Sequence, residues 1–385
     1  MKKVSILGST GSVGRNTIDL VASQPDKFKV IALTANTNVK LLAEQARVLN
    51  AEHAVIADES LYSELKQALA GTQIRAAAGH QAVVDAAGIP ADWIMAAIVG
   101  AAGVSSTLRA IEQGTAVALA NKESLVCAGP FMMAAVEKHG TTLLPVDSEH
   151  NAIFQVFNPL QRAGIKRLIL TASGGPFLRK QRAELSAITP EQAVRHPTWA
   201  MGRKISVDSA TMMNKSLEVI EAHYLFNVKN EEIDVVIHPQ SIVHSMVEYI
   251  DGSILSQMGA ADMRTPIANA LAWPDRMQTT GNALSFENQI NLSFEQIDII
   301  RFPAVKMARD VLRAHSPAAS TVFNAANEAA VAAFLARRLK FSEIESVVEE
   351  TLQTANIPSV SSLEAIFQTD TDARRIAETV ISRVN

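Results

Sequence analysis

Two carboxylates, Asp147 and Glu149, stand two residues apart in the octapeptide Leu144-Pro145-Val146-Asp147-Ser148-Glu149-His150-Asn151, after the apolar run Thr142-Leu143-Leu144. On an extended chain, residues i and i+2 project to one face, so both acids would share the same space. Like charges that close require a neutralising partner or a proton. A divalent cation is one such partner, and carboxylate oxygens suit the hard ions Mg²⁺ and Mn²⁺. The same octapeptide also reads as an ordinary exposed acidic turn. A third acid is available at Glu218, which shares a helical face with Asn214 at i−4 and Lys215 at i−3. That trio reads either as a surface Lys–Glu pair or as a further metal ligand with its neighbours.

The elements before these acids are strand-and-helix alternation. Val4-Ser5-Ile6-Leu7 reads as a buried strand, and Gly8-Ser9-Thr10-Gly11-Ser12-Val13-Gly14 follows as a glycine loop before a helix carrying Ile18, Leu20 and Val21. Strand, glycine loop and helix make the phosphate cradle of a dinucleotide fold, here spaced G-x-x-G-x-x-G. A second strand, Lys29–Leu33, ends at Thr34-Ala35-Asn36-Thr37-Asn38, without the acid that holds a ribose 2′-hydroxyl. That absence favours NADP over NAD, although no lysine or arginine sits at the strand end.

Alternation continues with a helix near 39–49, a strand at 54–56, a helix near 60–70, a strand at 93–98, a helix near 104–113, a strand at 116–120 and a helix near 124–138. This predicts a doubly wound parallel sheet, in which function gathers beyond the carboxyl ends of the strands. Asn121-Lys122-Glu123 lies at one such end and Asp147-Ser148-Glu149 at the next. Lys122 therefore reads either as a solvated loop lysine or as a site residue.

Composition bounds the function. The chain has 385 residues, 48% of them hydrophobic and 19% charged, with a formal charge of −4, which describes a large-cored globular protein without a basic footprint for nucleic acid. Its single cysteine, Cys127, excludes an intrachain disulfide and fits a reducing compartment. The N-terminus runs straight into a strand with no signal-peptide core, and the most apolar stretch, 94–104, is too short to span a bilayer. A cytoplasmic protein without a membrane segment is expected.

After residue 150 the pattern changes. The strand Lys166–Thr171 leads into the small-residue loop Ala172-Ser173-Gly174-Gly175-Pro176, and Thr189-Pro190-Glu191-Gln192 is a capping box with proline at the first helical position. The segment 195–204 has no helical or strand period and carries His196 and Trp199, as a mobile lid would. Leu217, Ile220, Tyr224 and Leu225 keep helical spacing, and strands follow at 233–238 and 244–249, with His238 and His244 assigned to sheet packing or a subunit interface. From about 301 the pattern is wholly helical, with capping boxes at Ser342-x-x-Glu345 and Ser361-x-x-Glu364. Asn324, Asn327 and Glu328 share one face of an alanine-rich helix there, with no role evident beyond hydrogen bonding between helices. The expected organisation is a Rossmann-like domain over 1–147, an α+β catalytic domain with a flexible flap over 148–274, a linker over 275–299 and a C-terminal helical bundle over 300–385.

Taken in order, Gly8–Gly14, Ala120-Asn121-Lys122-Glu123-Ser124, Pro145–Asn151, Ser173-Gly174-Gly175-Pro176-Phe177 and Ile205–Lys215 closely resemble the motifs of the 1-deoxy-D-xylulose 5-phosphate reductoisomerases, over the whole chain. The resemblance implies an NADP-dependent oxidoreductase of the non-mevalonate isoprenoid route. Its reaction rearranges a ketose phosphate by metal-assisted retro-aldol and aldol steps, then reduces the product by hydride transfer to 2-C-methyl-D-erythritol 4-phosphate. It implies that Asp147, Glu149 and Glu218 hold Mg²⁺ or Mn²⁺. Ser173, His196, Ser209, Asn214 and Lys215 would hold the substrate, mostly around its phosphate. Lys122, Ser148 and Glu149 would lie near the reacting carbons, and Glu218 would also touch substrate. Thr10, Gly11, Ser12, Val13, Asn38, Asn121, Glu123 and Gly202 would contact NADPH, and Trp199 would belong to the flap. Many members carry glycine and a basic residue ahead of the asparagine matching Asn38. Asn36-Thr37 stand there in this chain, which predicts a weaker hold on the 2′-phosphate. The resemblance also implies a homodimer, with the strands near 233–249 as the expected interface.

Two other classes share parts of this constellation. A metal-dependent decarboxylating hydroxyacid dehydrogenase would need a site for a second carboxylate in place of the serine-rich loop. A catalytically silent NADPH-binding regulator would have lost the acids and lysines, yet Asp147, Glu149, Glu218, Lys122 and Lys215 are all present.

Overall fold

The computed structural model describes residues 1–357 and 360–384. Contacts divide the chain into two compact units: residues 1–124, 132–151 and 262–282 form the first, and 125–131, 152–261 and 283–385 the second.

The first unit is built on seven parallel strands. In chain order its elements are β1 (Lys2–Leu7), α1 (Ser12–Ala22), β2 (Phe28–Ala35), α2 (Val39–Val48), β3 (His53–Ile56), α3 (Tyr62–Ala68), β4 (Arg75–Ala78), α4 (His80–Ala87), β5 (Trp93–Ala96), α5 (Val104–Ile111), β6 (Ala116–Leu119), α6 (Lys122–His139) and β7 (Thr142–Pro145). The order β4-β3-β2-β1-β5-β6-β7 turns back at β1, the doubly wound pattern expected from the alternation. Internal strands of such a sheet are covered on both faces and read as unbroken apolar runs. Trp93, Ile94, Met95 and Ala96 of β5 are accordingly all buried. Leu119 of β6 is in register with Pro145 of β7, so Lys122 and Asp147 leave neighbouring strands at nearly the same level. The β4–α4 pair was not anticipated, because Arg75-Ala76-Ala77-Ala78 carries none of the β-branched or aromatic residues that mark strands. Proline at position 130 removes a backbone donor inside α6, and the helix kinks at Ala128.

One later segment returns to this unit. α7 (Ser148–Val156) begins in it, and the segment 262–282 joins it, although it falls within the stretches expected to form the catalytic domain and linker. Backbone carbonyls in that segment hold it there. Trp93 Nε1 donates to Ala270 O at 2.9 Å, and Lys2 Nζ donates to Leu271 O at 2.8 Å.

The second unit has a five-stranded sheet and a helical bundle. Its elements are β8 (Ile165–Ala172), α8 (Pro190–Ala193), α9 (Arg203–Ala210), α10 (Met213–Leu225), β9 (Ile233–Ile237), β10 (Val243–Tyr249) and β11 (Ile254–Met258). After α11 (Arg264–Ala272), which lies in the returning segment, come β12 (Glu295–Gln296), α12 (Ala304–Arg313), α13 (Pro317–Leu335), α14 (Ile344–Thr354) and α15 (Leu363–Val384). The sheet order is β11-β10-β8-β9-β12. β9 and β10 therefore each have neighbours on both sides, and the edge strands are β11 and β12. Leu168 and Leu170 of β8, Leu217 and Ile220 of α10, and Phe323 and Phe334 of α13 share one buried core. The capping box at Thr189 forms as expected, with Gln192 N donating to Thr189 Oγ1 and Thr189 N to Gln192 Oε1. The box expected at Ser342 does not form; instead Lys340 N donates to Glu343 Oε2 at 2.8 Å, just before α14. At the start of α15 the capping hydroxyl is that of Ser362, which accepts from Ala365 N at 3.3 Å. No helix among the described residues is long and apolar enough to cross a membrane.

Candidate active site

In the first unit, every predicted cofactor residue outside the flap lies at or beyond the carboxyl ends of the parallel strands. The loop from Gly8 to Gly14 leaves β1 and enters α1 with Gly11 as its cap residue, and no side chain caps the helix. Unoccupied N–H groups at a helix N-terminus attract anions through their partial positive charge. The turn admits no side chain at Gly14, where a Cβ would lie 2.2 Å from Gly8 O and 2.6 Å from Ser9 C. Thr34 Oγ1 accepts from Gly8 N at 2.9 Å and Gln45 Nε2 donates to Ser9 O at 3.1 Å, so neighbouring elements fix the loop. Asn36, Thr37 and Asn38 are exposed beyond β2, and Asn38 Oδ1 caps α2 by accepting from Leu41 N at 3.1 Å. Asn121 caps α6 in the same way, accepting from Ser124 N at 3.2 Å while its Nδ2 donates to Gly100 O at 3.1 Å.

Lys122 is the first residue of α6 rather than a loop residue, and it is buried. Its ammonium pairs with the Asp147 carboxylate, as the register of β6 and β7 allows. The acids themselves are not on an extended stretch as expected. The chain leaves the sheet at Val146, whose N–H reaches Leu119 O at 2.9 Å, and Asp147 O accepts from Asn151 N at 2.8 Å, closing the first turn of α7. Glu149 then lies in that first helical turn, and Ser148 Oγ donates to its Oε2 at 2.6 Å. Carboxylates at a helix N-terminus are stabilised by the partial positive charge there. Burial alone would push the Asp147 carboxyl up; the Lys122 ammonium, with His150 and Glu149 beside it, outweighs that and holds it well below the usual carboxylate range. His150, fully buried next to Asp147, was given no role in the sequence reading.

In the second unit, β8 delivers the Ser173-Gly174-Gly175 loop. Gly175 has φ +66°, and a Cβ on it would lie 2.9 Å from both Ala210 Cα and Ser209 O, so only glycine lets this loop lie against the end of α9. Ser173 Oγ accepts from Gly175 N at 3.1 Å and lies 2.9 Å from His196 Nε2. His196 Nδ1 accepts from Trp199 N at 3.0 Å and Thr198 N at 3.2 Å. The proton is therefore on Nε2, which donates to Ser173. Burial pushes the His196 imidazole down to about 4, so the ring is neutral at ordinary pH. The Trp199 and His244 rings pack with centroids 5.9 Å apart. Met212, in left-handed backbone at φ +64°, turns the chain from α9 into α10. On α10, Asn214 Nδ2 donates to Glu218 Oε1 at 2.5 Å and the Lys215 ammonium pairs with Glu218 Oε2. The i, i+3 and i, i+4 spacing read from the sequence thus becomes a hydrogen-bonded cluster in which Lys215 is buried and Glu218 wholly enclosed, with Asn214 partly buried.

The structure therefore brings Lys122, Asp147, Ser148 and Glu149 together in one unit. It brings Ser173, His196, Ser209, Asn214, Lys215 and Glu218 onto adjoining loops and helices of the other. Trp199 and Gly202 lie on the aperiodic segment before α9. Asn324 and Asn327 are fully buried on α13, which local pattern had left without partners.

Comparison with known proteins matches these stretches to one family. Family models described as 1-deoxy-D-xylulose 5-phosphate reductoisomerase, its C-terminal domain and DXP reductoisomerase C-terminal domain match residues 4–129, 143–226 and 258–376. A 1-deoxy-D-xylulose 5-phosphate reductoisomerase of Rhodospirillum centenum is 56% identical over 99% of this chain and 95% of its own length. One from Zymomonas mobilis is 55% identical over 97% of this chain and 96% of its own. A solved Zymomonas mobilis enzyme in complex with NADPH superposes with TM-score 0.93 at 53% identity, covering 99% of each chain. A DOX-P reductoisomerase in complex with NADPH, fosmidomycin and magnesium superposes with TM-score 0.94 at 40% identity, over 100% of this chain and 99% of that one. This chain belongs to the 1-deoxy-D-xylulose 5-phosphate reductoisomerase family.

Proposed function

We propose a division of labour among this chain's residues for the family's reaction, the NADPH-dependent rearrangement and reduction of 1-deoxy-D-xylulose 5-phosphate to 2-C-methyl-D-erythritol 4-phosphate. The chain is an NADP-dependent oxidoreductase of isoprenoid biosynthesis. The observation that carries the assignment is the buried Lys122–Asp147 pair at adjacent strand ends, with Glu149 two residues on in the first turn of α7.

The donor sets fit the groups the family uses. Asp147, Glu149 and Glu218 offer hard carboxylate oxygens, and Asp147 and Glu218 each pair with a lysine. The uncapped α1 N-terminus and the close approach at Gly14 fit a dinucleotide pyrophosphate. Asp147, Glu149 and Glu218 would hold Mg²⁺ or Mn²⁺; Thr10 to Val13, Asn36 to Asn38, Asn121, Glu123 and Gly202 would hold NADPH. When bound, the ion polarises the substrate's carbonyl and adjacent hydroxyl, and the nicotinamide supplies hydride.

The chain's own residues do the rest. The Lys122 ammonium stabilises the negative charge that develops on the enolate oxygen as the carbon–carbon bond breaks and re-forms. Glu149, oriented by Ser148 Oγ, exchanges the proton of the substrate hydroxyl. Ser173, Ser209, Asn214 and Lys215, with the neutral His196 donor, hold the phosphate remote from the reacting carbons. Binding energy collected there is available to order the segment carrying Trp199 over the substrate and exclude water.

The division into a cofactor domain to 147, a catalytic domain to 274, a linker to 299 and a helical domain beyond is part of this proposal, with 262–282 returning to pack in the cofactor unit. So are a cytoplasmic location, consistent with one buried cysteine, and a homodimer. The homodimer is supported by the open edge of β11, where Ile254, Leu255 and Met258 are exposed. Sedimentation equilibrium should give twice the chain mass, and an Ile254→Lys/Leu255→Lys variant should shift to monomer. A wild-type monomer at all concentrations would remove the dimer.

The deciding assay is NADPH consumption with 1-deoxy-D-xylulose 5-phosphate, with Mg²⁺ or Mn²⁺ and then with a chelator, run beside NADH. Metal-dependent turnover preferring NADPH is expected. Folded protein that binds NADPH but never turns over would leave a regulator instead.

A further inference from the structure

The helix α13 carries an amide that the reaction scheme does not use. Asn327 is fully buried, and its Nδ2 donates to Asp208 Oδ1 at 2.9 Å. Asp208 is itself buried, and its Oδ2 lies 3.1 Å from Lys204 Nζ. Asn327 Oδ1 finds no donor among the described residues, so among the buried alanines of α13 the amide carries an uncompensated polar atom. Packing of the bundle does not account for such a residue; its contact with Asp208 does.

That contact lies next to the phosphate-binding loop. Asp208 immediately precedes Ser209, whose carbonyl and neighbour Ala210 press against Gly175. α9 starts at the foot of the segment carrying Trp199 and ends at the left-handed Met212 turn that launches Asn214, Lys215 and Glu218. Its C-terminal turn is thus held between two fixed surfaces, the Ser173-Gly174-Gly175 loop and the Asn327 amide. A shift of well under an ångström at Asp208 would carry Ser209 with it, because the two share one helical turn.

We propose that Asn327 is a positioning residue for substrate phosphate. Through the buried Asn327–Asp208 hydrogen bond, the C-terminal helical region sets the placement of Ser209 and of the turn into α10. This rests on the assignment of Ser209, Asn214 and Lys215 to the phosphate. It gives the helical bundle, 119 residues further along the chain, a direct part in substrate recognition.

The test uses the full-length enzyme and reads Michaelis constants for substrate and NADPH, with the inhibition constant of inorganic phosphate. Asn327→Leu keeps the branching at Cγ and removes the donor. It should raise the substrate Michaelis constant and the phosphate inhibition constant about tenfold, the effect expected for loss of one charge-assisted hydrogen bond, with the NADPH constant within about twofold. Asn327→Ser serves if the leucine variant does not fold. The Asp208→Asn/Asn327→Asp double variant reverses the donor and acceptor and should bring the substrate constant back toward wild type, a rescue that a general loss of stability cannot give. A lowered melting temperature with unmoved substrate and phosphate constants would overturn the proposal, as would an equal rise for NADPH. Ser209→Ala separates the two readings. A raised substrate constant there beside an unmoved Asn327→Leu sinks only the positioning role, whereas an unmoved constant in Ser209→Ala sinks the phosphate assignment itself.

Discussion

His196 Nε2 lies 2.9 Å from Ser173 Oγ while His196 Nδ1 accepts two backbone N–H groups, so the imidazole is locked as a neutral donor aimed at the Ser173-Gly174-Gly175 loop. A protonated ring would have to break the bonds at Nδ1, because imidazolium has no acceptor left. Burial, which pushes this imidazole down to about 4, points the same way.

The consequence is a pH dependence with a definite sign. A histidine of the unfolded chain takes up its proton near 6.5, whereas His196 in the fold takes it up only near 4. Its contribution to stability is therefore complete above pH 6.5 and is lost as the pH falls toward 4. Wild type should lose more melting temperature than His196→Gln between pH 6.5 and 4.5. Parallel curves for the two proteins would mean that His196 titrates normally in the fold.

Lys122 and Asp147 lead to a second expectation. Breaking a buried pair by removing one partner strands the other charge, at a cost of about 3–5 kcal/mol. Lys122→Ala should accordingly melt lower than wild type and lose turnover by roughly a thousandfold, the scale of one removed electrostatic donor. Because Lys122 pairs with Asp147, its removal leaves that carboxylate to another cation, and Mg²⁺ should raise the melting temperature of Lys122→Ala by more than it raises that of wild type. A smaller rise would show that the ion does not meet Asp147.

The close approach at Gly14 makes a third. A Cβ there would lie 2.2 Å from Gly8 O, a contact with backbone that no side-chain rotation relieves. Gly14→Ala must move the loop or the start of α1. Its NADPH dissociation constant should rise about five- to hundredfold, in keeping with the ~1–3 kcal/mol typical of overpacking, while phosphate inhibition stays near wild type. Isothermal titration with NADPH checks the first figure; an unchanged constant would place the cofactor away from this loop.

Much of this architecture was legible because it is local. The glycine loop between β1 and α1, the box at Thr189 and the face shared by Asn214, Lys215 and Glu218 all follow from spacings of three or four residues. The strand-like reading of Asp147 and Glu149 failed because Ser148-Glu149-His150-Asn151 has no apolar period to announce a helix. β11 was missed although Asp251-Gly252 before it is a hairpin-turn pair, and Gly252 takes φ +87° there. The Asn327–Asp208 bond and the return of α11 beneath Trp93 join residues far apart in the chain, and no local period encodes such contacts.

The exposed Asn36-Thr37-Asn38 loop makes the last prediction. It lies beyond β2, where a dinucleotide fold meets the adenosine ribose, and it contains no cation. Asn38 is committed to capping α2, which leaves Thr37 as the position that can change without unwinding a helix. Thr37→Arg would add a guanidinium suited to bidentate contact with a 2′-phosphate. The Michaelis constant for NADPH should fall by about three- to tenfold, the scale of a partly exposed charge pair of ~1 kcal/mol, while that for NADH stays put. Because the new pair would be solvent-accessible, the gain should shrink as salt is raised from 50 mM to 500 mM, following a Debye length that drops below about 5 Å. An equal gain for NADH would show that the arginine meets some other part of the dinucleotide, and the ribose pocket would then have to be sought elsewhere along the strand ends.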